Sequence, residues 1–157
     1  MSTPSLKKEL ARTLQWEEAH VSFTTAGLSL SDTGRTVSSL SYTIWQLVEH
    51  VRIAQHDIVS FCLDEHYEEK SWPDDYWPKE KEPANQQRWE ASLKQVGQDR
   101  QRMVGAILAE EANLFAPLPR GNGPHLFREA LLIVDHEAYH IGQIVLIRKL
   151  LGNWAQE

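Results

Sequence analysis

The sequence predicts an all-α protein arranged as a four-helix bundle. Three observations carry that prediction. Apolar residues recur at three- and four-residue spacing along most of the chain, the strict alternation of a half-buried strand is almost absent, and start and stop signals separate four long periodic segments. At 157 residues the chain fits one domain, 1–157, because a chain of this length buries a single core without dividing.

Leu6, Leu10 and Leu14 share one face of a first helix. Val21 to Leu30 reads as a loose continuation before the turn-rich Ser31-Asp32-Thr33-Gly34. Thr43-Ile44-Trp45-Gln46 has the spacing of a capping box, in which the Thr and Gln side chains each satisfy the other residue's backbone amide. Behind it Ile44, Leu47, Val48, Val51, Ile58 and Cys62 form the apolar stripe of a second helix, with His50 at the stripe's edge. Pro83 and the polar run after it open a third helix that continues to about Asn113, with Trp89, Leu93, Val96, Met103 and Ile107 facing inward. Gly123-Pro124 starts the fourth, which runs to Leu151 and stops at Gly152, the residue type favoured just past a helix end.

The fourth helix has two apolar sides. Phe127, Ala130, Leu131, Val134, Ala138, Ile141 and Val145 form one stripe, and Leu126, Ile133, Ile144, Ile147 and Leu151 lie nearly opposite, beside His136 and His140. One stripe fills the core, so the other needs its own cover, from this chain or from a second subunit, and a homodimer is expected. Gly142 in mid-helix costs roughly 1 kcal/mol relative to Ala, which suggests that a neighbouring backbone approaches closely there.

With Lys+Arg 16 against Asp+Glu 22, the net charge of −6 gives no field to attract nucleic acid or an anionic membrane surface. The single cysteine, Cys62, excludes an internal disulfide and reads as a small buried hydrophobe. No apolar stretch reaches the roughly eighteen residues of a membrane span, and residues 1–10 lack the apolar region of a signal peptide, so a cytoplasmic protein is expected.

The segment Asp135-His136-Glu137-Ala138-Tyr139-His140-Ile141-Gly142-Gln143 carries the chemistry. Four residues apart on a helix, His136 and His140 present two imidazoles to one divalent cation. A third ligand is needed from His20, His50, His56, His66, His125 or a carboxylate. His50 is preferred because it flanks the core stripe of the second helix, from which it can point toward the fourth. His136 to His140 also matches H-E-x-x-H, in which the glutamate is the base of a metalloprotease. The extended metzincin pattern fails, since Gln143 and Leu146 stand where it needs Gly and His, and only 17 residues of the sequence follow His140. Glu137, rotated about 100° from His136, is expected to meet solvent or a partner behind the metal ligands rather than the cation itself.

Thr43-Ile44-Trp45-Gln46-Leu47-Val48-Glu49-His50, then Ala54-Gln55-His56-Asp57-Ile58, and later Asp135 to Ile144 with its H-x-x-x-H-x-G-Q pattern, resemble the DinB-like (DinB/YfiT) superfamily, as does the loop Trp72-Pro73-Asp74-Asp75-Tyr76-Trp77-Pro78. The resemblance runs from the second helix onward. It implies a four-helix bundle with a metal site between helices, a divalent ion such as nickel or zinc held by His50, His136 and His140, and a dimer. It also implies, from characterised relatives, thiol-dependent S-transfer or isomerisation using a low-molecular-weight thiol.

Three neutral imidazoles leave the cation's charge uncompensated and a coordination position open, the pattern of a catalytic zinc site. A thiol or water bound there loses its proton readily, so transfer to a thiol is chemically reasonable and hydrolysis is the alternative. A noncatalytic metal-binding dimer is the third reading. Asp57, Glu137, Tyr139 and Gln143 are candidates for contacts behind the ligands or with substrate, and Trp45 and the Trp72 to Trp77 loop could line or cover a pocket. The substrate is expected to be a small molecule.

Overall fold

The capping box forms as its spacing predicts, and it fixes where the site-bearing helix begins. The Thr43 hydroxyl accepts the Gln46 amide at 3.2 Å and the Gln46 carboxamide oxygen accepts the Thr43 amide at 3.2 Å. In the computed structural model, which describes residues 3–16, 20–38 and 40–154, the helices are α1 (Thr3–Leu14), α2 (Val21–Thr24), α3 (Leu30–Thr33), α4 (Ile44–Leu63), α5 (Gln86–Leu108) and α6 (Leu126–Leu151). Among the described residues the protein is all-helical, with no strand. The expected domain limits, 1–157, take in residues 1–2, 17–19, 39 and 155–157, which lie outside the described residues.

α4 packs against α5 and α6, α1 packs against the same pair, and α2 lies on α6. The loose continuation expected after α1 resolves into two single turns, α2 and α3, separated by Gly27 at φ 72°. The third predicted helix is shorter at both ends. Asn85, not Pro83, sets its start, because the Asn85 side chain accepts the Arg88 amide at 2.9 Å. At the other end the backbone turns extended at Ala109, and the Lys7 ammonium donates to the freed carbonyls of Ala109 (2.7 Å) and Glu110 (3.2 Å), a cation where the helix dipole is negative. α6 starts at Leu126 behind His125, whose Nδ1 accepts the Arg128 amide, and ends at the expected Gly152, left-handed at φ 72°.

The core face of α6 carries Leu126, Ala130, Ile133, Ile144 and Ile147, while Leu131 and Ala138 are exposed and Phe127, Val134, Ile141 and Val145 are half-buried. So the stripe beside the histidines fills the interior, while the other divides: Ala130 is buried, Phe127, Val134 and Ile141 pack at the core's edge, and Leu131 and Ala138 lie toward solvent. Gly142 does not meet a neighbouring backbone: a Cβ added there reaches open space. By length and composition α6 does pass as a membrane span. This corrects the expectation that no stretch is long and apolar enough; in the fold its charged Glu129, Glu137 and Arg148 are buried against protein.

Apolar side chains form two separate clusters. One joins Leu10, Leu14, Val59, Met103, Ile107, Leu126 and Ile133. The other joins Val21, Ile44, Leu47, Val48, Val51, Trp89, Val96, Ile144 and Ile147. On α4, α5 and α6 buried polar residues stand between the two sets: Gln55 on α4, Asp99 and Arg100 on α5, Glu137 and His140 on α6. Every such group needs a partner. Gln55 donates to the Val96 carbonyl at 2.6 Å, and Glu137 pairs with Arg100 at 2.9 Å while accepting the Val21 amide at 3.1 Å. His136 and His140, which matter below, lie at this level on α6, and His50 meets them from between Val48 and Val51 of the second cluster.

Candidate metal centre

His50 projects from the middle of α4 and His136 and His140 from the middle of α6, and the fold brings their rings together. One ring nitrogen from each lies within 4.8 Å of the others, and the Nε2 atoms of His50 and His136 are 3.0 Å apart. Metal–nitrogen bonds of about 2.0–2.1 Å place two ligand nitrogens about 2.9–3.4 Å apart, depending on the coordination angle. The spacing of His50 and His136 fits that range.

Two rings are oriented from behind. His50 Nδ1 donates to the Tyr76 carbonyl at 2.9 Å, which leaves its Nε2 lone pair facing the cluster. His140 Nδ1 donates to the Gln143 side-chain oxygen at 2.7 Å, and the Gln143 amide in turn donates to the Tyr42 hydroxyl at 3.0 Å. Trp77 lies flat on His50, with centroids 3.9 Å apart and planes 5° from parallel, and meets His140 edge-on. The loop between α4 and α5 therefore holds His50 by backbone and by ring.

Burial sets the charge of the cluster. It pushes the His136 imidazolium down to about 4, helped by repulsion from His140 and His50. Burial also lowers His50 against the favourable Tyr76 carbonyl contact, and lowers His140 against the Gln143 bond. All three rings are neutral at neutral pH, the form a metal requires.

An acid-side prediction follows, with its sign fixed by linkage. The unfolded chain protonates His136 near pH 6.5 and the folded chain only near 4, so between those values the unfolded state binds more protons and stability falls as the pH is lowered. Thermal melts of metal-free protein are expected to show the midpoint dropping from pH 6.5 toward 4, with His50 and His140 contributing in the same direction. His136→Gln should flatten that slope, and an unchanged slope in the variant would count against a buried neutral His136.

The remaining histidines have other occupations. His20 contacts the Leu14 carbonyl and Arg100, His56 pairs with buried Asp99 at 2.9 Å, His125 caps α6, and His66 is exposed. Gln143 reaches the cluster, through His140. Tyr139 is 67% exposed, its ring edge-on to His140 at 5.0 Å. Asp57 lies two turns beyond His50 and accepts the Tyr76 hydroxyl at 2.6 Å. Glu137 meets neither solvent nor the cluster, since Arg100 and the Val21 amide hold its carboxylate on a different face of α6. Trp45 is packed in the apolar core against Trp89, with Arg88 over its ring.

Tyr76, Trp77 and Tyr42 are the site residues that sequence reasoning did not single out. The density of aromatics and prolines in 72–78 marked the loop as a possible cover without saying which ring it covers. Tyr42, one residue before a helix cap, gave no signal. Compared with protein-family models and with curated proteins, the chain matches none at a significant level.

Proposed function

We propose that the chain is a divalent-metal-binding protein of the DinB-like kind, a four-helix bundle of α1, α4, α5 and α6 with His50, His136 and His140 as ligands. We propose further that it is a metal-dependent enzyme, of the thiol-dependent S-transferase type, acting on a small molecule. The observation that carries the metal reading is three neutral imidazoles with nitrogens within 4.8 Å of one another, two of them held from behind by hydrogen bonds. This all-nitrogen donor set suits nickel or zinc.

A bound cation there would supply Lewis acidity and stabilise a deprotonated thiol or water. The chain's own residues orient the ligands and shape access. Tyr76 and Gln143 fix which nitrogen of His50 and His140 faces inward, and Trp77 shields one face of His50. A hydrolase of the H-E-x-x-H type needs Glu137 as base, and the Arg100 pairing of that carboxylate favours the transferase over it. The test is elemental analysis of protein purified without a histidine tag, wild type and His136→Ala in parallel. Near-stoichiometric nickel or zinc in the wild type, lost in the variant, supports the metal site. Turnover that needs added thiol and is abolished by a chelator supports the transferase; thiol-independent turnover favours hydrolysis, and metal without turnover favours a binding role.

A homodimer through α6 belongs to the same proposal. Leu132, Tyr139, Leu146 and Leu150 are exposed along one side of α6, with Gly142 among them and facing open space. Heptad spacing of Leu132, Tyr139 and Leu146 suits a helix seam. Gly142→Leu is expected to block the approach of a second α6 and shift sedimentation from dimer to monomer. In a monomer the same change should instead raise stability, by about 1 kcal/mol, through helix propensity alone.

A further inference from the structure

Beside the histidines, an open cleft of about 400 Å³ lies between α4, α6 and the loop that follows α4. Phe61, Tyr67, Trp72 and Tyr76 line it together with Ile58 and Leu132, and His136 is in its wall. Of the three candidate ligands His136 is the one not fully buried. Tyr76 belongs to both places, since it lines the cleft while its carbonyl accepts His50 Nδ1 at 2.9 Å. The cleft and the candidate metal centre therefore adjoin.

The wall offers rings and hydrocarbon, and its polar groups are engaged with one another. The hydroxyls of Tyr76 and Tyr67 donate to Asp57 Oδ2 at 2.6 Å and 3.4 Å, and Arg128 is ion-paired to Glu129. Both phenols stay protonated, because burial and the Asp57 charge push Tyr67 up to about 12 and raise Tyr76 as well. Asp57, Glu69 and Glu129 stand against the single cation Arg128, so an acid entering the cleft meets net negative charge. What the cleft presents to a ligand is apolar surface, and part of that surface is left in water. Trp72 is 70% exposed and Leu132 38%, with the Trp72 ring set on Tyr76 at a centroid distance of 5.2 Å. Apolar side chains gathered in water around a cleft mark a place that an apolar ligand covers.

We propose that this cleft holds the uncharged aromatic body of a small-molecule substrate, packed against Trp72, Tyr76 and Leu132, and that it selects against acids. Its volume falls within the range of small-molecule sites, about 300–1,000 Å³. Flat rings gain most there, because offset or edge-on packing on Trp72 and Tyr76 adds to the area they bury. The end of such a molecule nearest His136 lies beside the candidate metal, which gives the proposed enzyme its substrate class. That placement rests on the metal reading above; the binding of the apolar body does not.

The probe is 2-naphthalenemethanol, with 2-naphthoate as the acidic control of the same ring system, titrated by calorimetry into wild type, Trp72→Ala, Leu132→Ala and Trp16→Ala. Each protein is measured as purified and after chelator treatment, and the two probes are compared in the stripped protein because a carboxylate can itself ligate a metal. There the alcohol is expected to bind at least about tenfold more tightly than the acid. Its affinity should fall about fivefold or more in Trp72→Ala and by a smaller factor in Leu132→Ala. Both side chains are exposed, so their removal should leave folding intact. Trp16 is 62% exposed but outside the cleft, and its removal should change nothing. Absence of saturable binding of the alcohol, equal binding of the acid to stripped protein, unchanged affinity in Trp72→Ala or an equal loss in Trp16→Ala overturns the proposal. Metal content measured on the same samples separates the two readings. Metal-free wild type that still binds the alcohol through Trp72 supports the cleft assignment while the metal reading fails, and metal-loaded protein without saturable binding does the reverse.

Discussion

Replacing His50 by alanine is expected to remove bound metal almost completely. His50 is the single ligand from α4, and without it His136 and His140 offer two nitrogens from one helix. Changes to groups that merely orient a ligand already weaken metal affinity about 10–100-fold, so loss of a ligand should exceed about 100-fold. The measurement is a competition titration with a chromophoric chelator, and elemental analysis after dialysis should agree. His56→Ala serves as the control, because His56 is engaged with Asp99 on the far side of α4's register and should keep full occupancy. Wild-type stoichiometry in His50→Ala would sink the three-ligand assignment and send the search for the third ligand elsewhere.

Arg100→Ala is expected to be the most damaging substitution for stability. Arg100 and Glu137 are 7% and 6% exposed at the side chain, and the pair ties α5 to α6, while the same carboxylate holds α2 through the Val21 amide. Removing one partner of a buried pair strands the other charge, at a cost of about 3–5 kcal/mol. For a chain of this size that corresponds to a fall in melting midpoint of about 10 °C. Urea denaturation should show the loss. Glu137→Gln, which keeps a hydrogen-bond acceptor for both Arg100 and Val21, should lose less and should leave metal bound. A loss in Arg100→Ala below about 1 kcal/mol would mean that the pair is solvated and that the three helices are joined by apolar packing alone.

The long helices were legible in the sequence because their signals are local. Thr43 with Gln46, Gly152, and the apolar stripe of α4 each depend on residues within two turns of one another. The start of α5 differs from expectation because a stronger neighbouring signal competes: Pro83 permits a helix start, but the Asn85 side chain accepts the Arg88 amide, which a proline side chain cannot do. On α6 two apolar stripes were visible. Which of them faces inward depends on α1 and α4, and no local pattern encodes that. The candidate ligands were legible from spacing on α6 and from the flank position of His50. Their supports were not: the Tyr76 carbonyl comes from a residue 26 positions away and the Tyr42 hydroxyl from one 101 positions away. Glu137 shows the limit in the other direction, since a residue inside a recognisable motif is spent on an ion pair with a helix that the motif does not mention.

The division of the interior into two apolar clusters by a polar level has a consequence for how the molecule can change. The clusters share helices but not packing, so a methyl group trimmed from Ile107 at one end does not loosen Ile44 at the other. Substitutions at opposite ends should then combine additively, as distant sites do. Substitutions within each polar group should couple strongly, because Arg100 and Glu137 share one ion pair and His50, His136 and His140 share one set of ring contacts. Stability can drift at the Leu10–Ile107 end with little effect on the ring geometry, whereas the Ile44–Ile147 end, which packs against the Trp77 and Tyr42 that hold the rings, is bound to the chemistry.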